Sequence, residues 1–189
     1  MNTSTFLEIL KVAEKLKCNT RHSWTSSGRH ESVAEHSWRV ALMALLMRDE
    51  FPELDMDKVI RMCLMRDVGE SCTGDIPAFD KKEENSQKED EVFFNWVSTV
   101  PEPYREEFSD LLTEMIELKT GEAKLYKALD NLEAVIQHNE ADISTWIPLE
   151  YDLQFTYGAD KVQFSPYLKE LKQELDNRNT KKIAEAQKA

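Results

Sequence analysis

The stretch that decides the fold reads Glu31-Ser32-Val33-Ala34-Glu35-His36-Ser37-Trp38-Arg39. It opens a run of apolar residues at helical spacing, which predicts a helix from about Ser32 to Arg48. The apolar residues on the predicted interior face of this helix are Val33, Val40, Ala41, Ala44 and Leu45. His36 lies on the same face, so the sequence predicts an imidazole inside the protein, where a polar group needs a partner.

Two more predicted helices place a carboxylate among apolar residues. One runs from about Asp57 to Val68 and carries Asp67, and the other runs from about Gly121 to Asn139 and carries Asp130. Taken singly, each polar group is most simply read as a hydrogen-bonded member of the core. Together, one imidazole and two carboxylates make an incomplete ligand set for Mn, Fe, Co, Ni or Zn, with open positions for water and phosphate oxygens. Spacing alone does not establish that the three side chains meet.

The rest of the chain predicts an all-α fold. Further helices are predicted from about Ser4 to Lys17, after Lys81, from about Pro103 to Leu118 and from Ser165-Pro166 onward. Loops are predicted at residues 18–31, 70–77 and 147–158, the last with helical turns. A chain of 189 residues, 41% of them hydrophobic, is long enough to bury one core. We expect a single domain over residues 1–176 and a frayed tail over residues 177–189.

The charge of the chain argues against two kinds of partner. The 36 acidic and 24 basic residues give a net charge of −12, which disfavours a nucleic acid polymer and an anionic membrane. An anionic ligand therefore needs a local basic pocket. No segment has the pattern of a signal peptide or of a membrane helix. Cys18, Cys63 and Cys72 form neither an even disulfide set nor a Cys-x-x-Cys pair, so we expect reduced thiols in a cytoplasmic protein.

Four segments together resemble a known family. Besides residues 31–39, they are Cys63-Leu64-Met65-Arg66-Asp67-Val68-Gly69-Glu70, Thr73-Gly74-Asp75-Ile76-Pro77 and Lys127-Ala128-Leu129-Asp130-Asn131-Leu132-Glu133. In order and spacing they resemble the motifs of HD-domain metal-dependent phosphohydrolases, in the branch that includes bacterial 5′-deoxynucleotidases. The resemblance extends from about Phe6 to Gly158 and implies a compact HD-domain helical bundle. It also implies a homodimer, which apolar helix faces in excess of one core would fit.

The resemblance assigns roles to particular side chains. The ligands that it implies for a divalent metal are His36, Asp67 and Asp130. It places Glu70 near the attacking water and Asp75 close to the substrate or the water, and it gives Arg21 a contact with the substrate phosphate. Independently of any family, arginine suits a phosphate ester because its forked guanidinium donates two parallel hydrogen bonds. A simpler interpretation exists for two of these residues. Arg21 is then a surface arginine in a polar loop, and Glu70 is a solvated group near the end of a helix.

The sequence departs from the family at Arg66, which stands where the family has a histidine ligand. A guanidinium stays protonated, so it is no metal ligand and puts a positive charge where the cation belongs. Metal affinity is therefore expected to fall sharply. Three arrangements remain open: a weakened site completed by water, a site that borrows His22 or His30, and an apo fold in which Arg66 pairs with Asp67 or Asp130.

The leading functional hypothesis is metal-dependent hydrolysis of a phosphomonoester, impaired by Arg66. The resemblance favours a 5′-(deoxy)nucleoside monophosphate as the small-molecule substrate, although the motifs also fit another phosphate or a phosphonate. One alternative is a non-catalytic, regulatory protein that binds a nucleotide or phosphate on the same fold. A second alternative, a helical interaction module, predicts binding of neither metal nor nucleotide.

Overall fold

The chain folds as a helical bundle in a computed structural model that describes residues 1–77 and 79–188. Its α-helices are α1 (Thr3–Cys18), α2 (Val33–Leu46), α3 (Met56–Met65), α4 (Glu70–Thr73), α5 (Glu83–Thr99), α6 (Tyr104–Glu117), α7 (Gly121–Glu140), α8 (Glu150–Thr156) and α9 (Pro166–Ala186). Two short antiparallel strands, β1 (Thr20–Trp24) and β2 (His30–Ser32), form a ribbon between α1 and α2. The predicted all-α class is confirmed. None of the described helices is long and apolar enough to pass through a bilayer.

Helix α7 is at the centre of the bundle, with α2 and α3 packed against it. Leu125, Leu129 and Leu132 of α7 are completely buried and share one apolar cluster with residues of α2 and α3. His36 on α2 and Asp130 on α7 are buried among these residues. Because interiors are close-packed, the contact between α2 and α7 fixes where these two polar side chains point.

The predicted loop at residues 18–31 is instead the β1–β2 ribbon, and this expectation was wrong. The strands turn at Gly28, which has a φ of +80°, and the amide of Thr25 donates to the carbonyl oxygen of Arg29 at 2.7 Å. The amide of Val33 donates to the carbonyl of Asn19, which ties the ribbon to the start of α2. The segment is too short and polar to show strand periodicity. Its backbone pairing nevertheless holds Arg21 beside α2 and α7.

The turn after α3 is tightly packed. Helix α3 ends at Met65, before the predicted Val68, and the chain continues as a 3-10 turn, Arg66–Gly69. Gly69 lies so close to α5 that a Cβ built on it would be 2.4 Å from the carbonyl oxygen of Glu89. The short helix α4 follows within the segment that was predicted to be irregular. This contact with α5 sets the position of the turn that carries Asp67 and leads into Glu70.

The C-terminal segment differs from the frayed tail that the sequence predicts from residue 177. Helix α9 continues to Ala186, and Asn179 is completely buried in it. The amide of Asn139 on α7 donates to Oδ1 of Asn179 at 2.7 Å. A polar contact thus holds α9 in place at Asn179. The fall in apolar residues after residue 177 gives no indication of this contact.

Several apolar side chains of α1 and α2 face outward. They are Phe6, Leu7, Leu10, Trp38, Leu45 and Leu46. Leu45 was predicted to face inward but is 47% exposed. Helical spacing defines a face, but it does not define which part of that face a neighbouring element covers.

The central position of α7 yields a stability prediction. We expect Leu129→Ala to lower the free energy of unfolding by about 2–5 kcal/mol, because it leaves a cavity in a closely packed core. The matched control is Leu46→Ala, at a side chain that is 77% exposed, which should change stability by less than about 0.5 kcal/mol. Urea unfolding followed by circular dichroism measures both, and equal losses would contradict the assignment of the core.

Candidate active site

Three side chains that the sequence singles out, His36, Asp67 and Asp130, converge inside the bundle. All three are buried. His36 Nε2 lies 3.1 Å from Asp130 Oδ1 and 4.0 Å from Asp67 Oδ2. The hydroxyl of Ser37, the residue next to His36, donates to Asp67 Oδ2 at 2.6 Å. Separate helices therefore bring one imidazole and two carboxylates into a single cluster.

Glu133 is a further member of the cluster that the sequence argument did not assign. Its buried carboxylate contacts His36 Nδ1. Burial raises the pKa of Glu133, but His36 and Arg21 outweigh burial and lower it, so the carboxylate is ionised. The signal was present in the sequence, because Glu133 follows Asp130 by one helical turn and so shares its face of α7.

Arg66 inserts its guanidinium between the three predicted ligands. Its Nη1 lies 2.5 Å from Asp67 Oδ1, 2.8 Å from Asp130 Oδ1 and 3.2 Å from His36 Nε2. Arg66 thus pairs with both carboxylates, which is the contact that the third of the three arrangements requires. His22 instead contacts Glu150, and His30 packs on Trp24.

These residues do not fit a divalent metal. A metal bound by His36, Asp67 and Asp130 would need the place that Arg66 Nη1 occupies. It would also need an unprotonated Nε2 on His36. Burial and Arg21 lower the pKa of His36, but Glu133 and Asp130 outweigh them and raise it to about 9. Burial lowers the pKa of Arg66, but Asp130 and Asp67 raise it well above its ordinary value, so the guanidinium remains a cation.

A second group of ligand-type atoms lies on the other side of the imidazole. Glu31, His36 and Glu133 each offer one such atom within 4.8 Å of the others. Arg21 Nη1 is already there, 3.2 Å from Glu31 Oε2 and 3.3 Å from Glu133 Oε2. Arg39 adds a second cation, with its Nε 3.8 Å from Glu133 Oε1. The carboxylates of this group are thus neutralised by arginines of the chain itself.

Arg21 joins the ribbon to the cluster and to Asp75. Besides its contacts with Glu31 and Glu133, its Nε lies 3.8 Å from Asp75 Oδ1. Both Arg21 and Asp75 line the cleft beside the cluster. The structure therefore brings together Arg21 and Asp75, the two residues that the sequence predicts to bind substrate.

Glu70 is a buried carboxyl group on the wall of the same cleft. Burial, and after it the charge of Asp67, raises the pKa of Glu70 to about 8, although Arg66 acts in the opposite direction. Lys81 Nζ lies 3.9 Å away. A carboxyl group that titrates near neutral pH is suited to move a proton in a cleft.

The cleft has a charged end and a less polar wall, with a volume of about 830 Å³ including its open mouth. The charged end is lined by Arg21, Arg66, Glu70, Asp75, Lys81, Lys127 and Asp130. The less polar wall includes His22, Pro77, Phe79, Leu153, Gln154 and Tyr157. Glu150 connects His22 and His138, whose Nε2 atoms lie 3.1 and 3.4 Å from its Oε1. A cleft of this size and mixed lining is suited to a small molecule, and its second wall was not predicted from the sequence.

The fold and the cluster define a helical protein of the phosphohydrolase class, with Arg66 among the side chains that the resemblance assigns to a metal. The family model described as HD domain matches residues 13–172. That match covers most of the 189 residues, and the chain belongs to the HD-domain family.

Similar proteins carry more specific names. The protein named 5′-deoxynucleotidase HDDC2 from Dictyostelium discoideum is 35% identical over 147 residues, which cover 72% of this chain and 77% of that protein. The Homo sapiens protein of the same name is 31% identical over 185 residues, which cover 95% and 89%. The crystal structure of a predicted metal-dependent phosphohydrolase from Magnetospirillum magnetotacticum MS-1 shares the fold. It has a TM-score of 0.82 at 24% identity and covers 95% of this chain and 93% of its own.

The position of Arg66 yields a prediction about stability. We expect Arg66→Met to lower the free energy of unfolding by about 3–5 kcal/mol, because it removes the cation closest to the buried Asp67 and one of the cations around Asp130. The control is Arg61→Met, whose exposed partner is Glu107 and whose loss should cost less than about 1 kcal/mol. Chemical denaturation measures both variants. Similar losses in the two would show that Arg66 does not neutralise the buried carboxylates.

The raised pKa of Glu70 yields a prediction about pH. Since the folded protein holds the proton of Glu70 more tightly than the unfolded chain, the resulting stability is complete below pH 4.5 and is lost as the pH rises to about 8. Glu31, whose pKa burial raises to about 7, acts with the same sign. We expect Glu70→Gln to lose less stability than the unmodified chain between pH 5 and 8, measured by thermal melting across that range. Parallel pH curves would contradict this environment for Glu70.

Proposed function

We propose that this chain is an HD-domain phosphomonoester hydrolase whose cleft takes a 5′-deoxynucleoside monophosphate, and that Arg66 impairs its hydrolytic activity. The observation that carries the proposal is the cleft itself. Its charged end is lined by Asp130 of the buried cluster and by Arg66, Arg21, Asp75 and Glu70. The similarity to proteins named 5′-deoxynucleotidase supports the substrate class.

In this proposal the phosphate enters the charged end of the cleft and the nucleoside lies along its less polar wall. Arg21 and Lys127 present cations to the phosphate, as an ester dianion requires. Phe79 and Tyr157 offer aromatic faces to a sugar or a base. Asp75, within reach of Arg21, orients that guanidinium or accepts a hydrogen bond from the substrate.

Glu70 is the proposed proton acceptor. Hydrolysis forms a bond from water oxygen to phosphorus and breaks the bond from phosphorus to the 5′ oxygen, so the water must lose a proton and the leaving oxygen must gain one. The ionised form of Glu70 takes the proton from the water, and its protonated form can return it to the leaving oxygen. The products are a nucleoside and inorganic phosphate.

Arg66 is the reason to expect slow hydrolysis. In the family that the motifs resemble, a divalent cation held by the His and Asp cluster supplies a positive charge and an acidic water. Arg66 supplies a single positive charge at that place and cannot make a water acidic by binding it. We therefore expect little phosphate release from the chain as it stands.

The direct test is phosphate release from 5′-deoxynucleoside and 5′-ribonucleoside monophosphates with Mn²⁺ or Co²⁺ added. We expect Arg66→His to raise kcat/KM at least about 100-fold over the unmodified chain, equivalent to roughly 3 kcal/mol of restored transition-state stabilisation. Arg61→His is the matched control and should change nothing. Adding Glu70→Gln to Arg66→His should remove the gain.

Absence of phosphate release from folded Arg66→His on every substrate would contradict the hydrolase proposal. The outcome would then favour the second candidate, a non-catalytic nucleotide-binding protein. One observation supports that candidate as well: the cluster has its own cation in Arg66. Nucleotide binding by both proteins without turnover would identify it.

Two further expectations belong to the proposal. The first is a homodimer, which the exposed apolar side chains of Phe6, Leu7 and Leu10 on α1 support, since monomers rarely expose large apolar patches. Light scattering after gel filtration would give twice the chain mass of 22.0 kDa for a dimer. The second is a cytoplasmic location, which the reduced state expected of the three cysteines supports.

A further inference from the structure

The guanidinium of Arg66 has two ends with different surroundings. Nη1 is the atom that contacts Asp67, Asp130 and His36. Among residues 1–77 and 79–188, no hydrogen bond engages Nη2 or Nε of Arg66, and Nη1 is the atom that comes closest to each carboxylate. The side chain lines the cleft and is 15% exposed. Three N–H donors are therefore uncommitted within the described part of the chain.

The two carboxylates nearest Arg66 are already paired with cations of the chain. Arg66 and Lys127 bring two positive charges, and Asp67 and Asp130 bring two negative charges. Lys127 Nζ lies 2.9 Å from Asp130 Oδ2, whereas the closest approach of Arg66 is to Oδ1. A divalent cation would meet carboxylates that are already paired and would have to displace a guanidinium that is covalently attached to the turn after α3. Both conditions disfavour metal binding.

The same arrangement that disfavours a metal cation favours the binding of a phosphate. Its oxygens accept hydrogen bonds, and the uncommitted N–H groups of a guanidinium are arranged as a fork that matches two of those oxygens. The carboxylates behind Arg66 keep the guanidinium in place and charged, so binding costs little additional ordering of the side chain. Arg21 lines the same end of the cleft.

We propose that Arg66 makes this site a metal-independent phosphate receptor. The guanidinium takes the place of the divalent cation, neutralising Asp67 and Asp130 through Nη1 and donating to the phosphate of a nucleoside monophosphate through Nη2 and Nε. The proposal rests on the proposed function for the class of ligand. It adds that binding of the phosphate is uncoupled from any metal ion.

The experiment is calorimetric titration with inorganic phosphate and with 2′-deoxyadenosine 5′-monophosphate, each in EDTA and in Mn²⁺. The unmodified chain should bind with the same Kd in both buffers and should carry no stoichiometric metal by mass spectrometry. Arg66→His should bind at least about tenfold more weakly in EDTA and recover in Mn²⁺. Arg66→Lys keeps the charge but loses the fork, and it should bind about tenfold more weakly in both buffers. Arg61→His should behave as the unmodified chain.

A requirement for Mn²⁺ in the unmodified chain, or a stoichiometric metal ion in it, would overturn the proposal. So would unchanged phosphate affinity in Arg66→Lys. Recovery of binding by Arg66→His in Mn²⁺ shows that this variant is folded, and thermal melting shows the same for Arg66→Lys.

The two proposals fail separately. If Arg66→His hydrolyses deoxynucleotides but the unmodified chain does not bind phosphate in EDTA, the receptor is wrong and the hydrolase stands. Phosphate binding in EDTA without turnover by Arg66→His gives the reverse result.

Discussion

Two buried carboxylates, Asp67 on the 3-10 turn after α3 and Asp130 on α7, require positive charge between them, and the rest of the site depends on how that requirement is met. Ionised groups inside a protein are tolerated when they are paired and hydrogen-bonded. Here Arg66 approaches both carboxylates, Ser37 donates to Asp67, and Lys127 takes the remaining oxygen of Asp130. The same requirement on the other side of His36 is met by Arg21 and Arg39 around Glu133. Positively and negatively charged side chains thus alternate through the interior, on α2, α7, β1 and the turn after α3.

This arrangement connects stability to function. Neutralisation by side chains keeps the bundle folded without an added ion, whereas neutralisation by a divalent cation would make folding and catalysis depend on the same ligand. In this chain the neutralising charge comes from Arg66. The cleft has Arg21 in its lining, and Arg66 lies at the centre of the cluster.

The helices and the interior positions of His36, Asp67 and Asp130 could be predicted from the sequence, because each rests on apolar periodicity and on polar residues that interrupt it. That the three side chains meet was implied only by the resemblance to the family. Membership of the HD-domain family could be predicted from the four motif segments. The β1–β2 ribbon and the continuation of α9 past residue 177 could not, because backbone pairing and the contact between Asn139 and Asn179 leave no apolar pattern. The contact of Glu133 with His36 depends on how α2 and α7 face each other, which spacing within one helix does not define. The less polar wall of the cleft is formed by segments far apart in the chain, so no local sequence pattern predicts it.

Gly69 has a consequence for how the chain can change over evolutionary time. Its backbone lies against the carbonyl of Glu89, with no room for a methyl group, so any other residue there would push the turn away from α5. Residue 66, three positions earlier, lines the cleft, and in the proposed function a change there from a cation to a metal ligand needs no change of the backbone. The scaffold at Gly69 is therefore fixed while the chemistry at Arg66 is open to single substitutions. A lineage carrying this fold could lose or regain metal dependence through residue 66 without rebuilding the bundle around it.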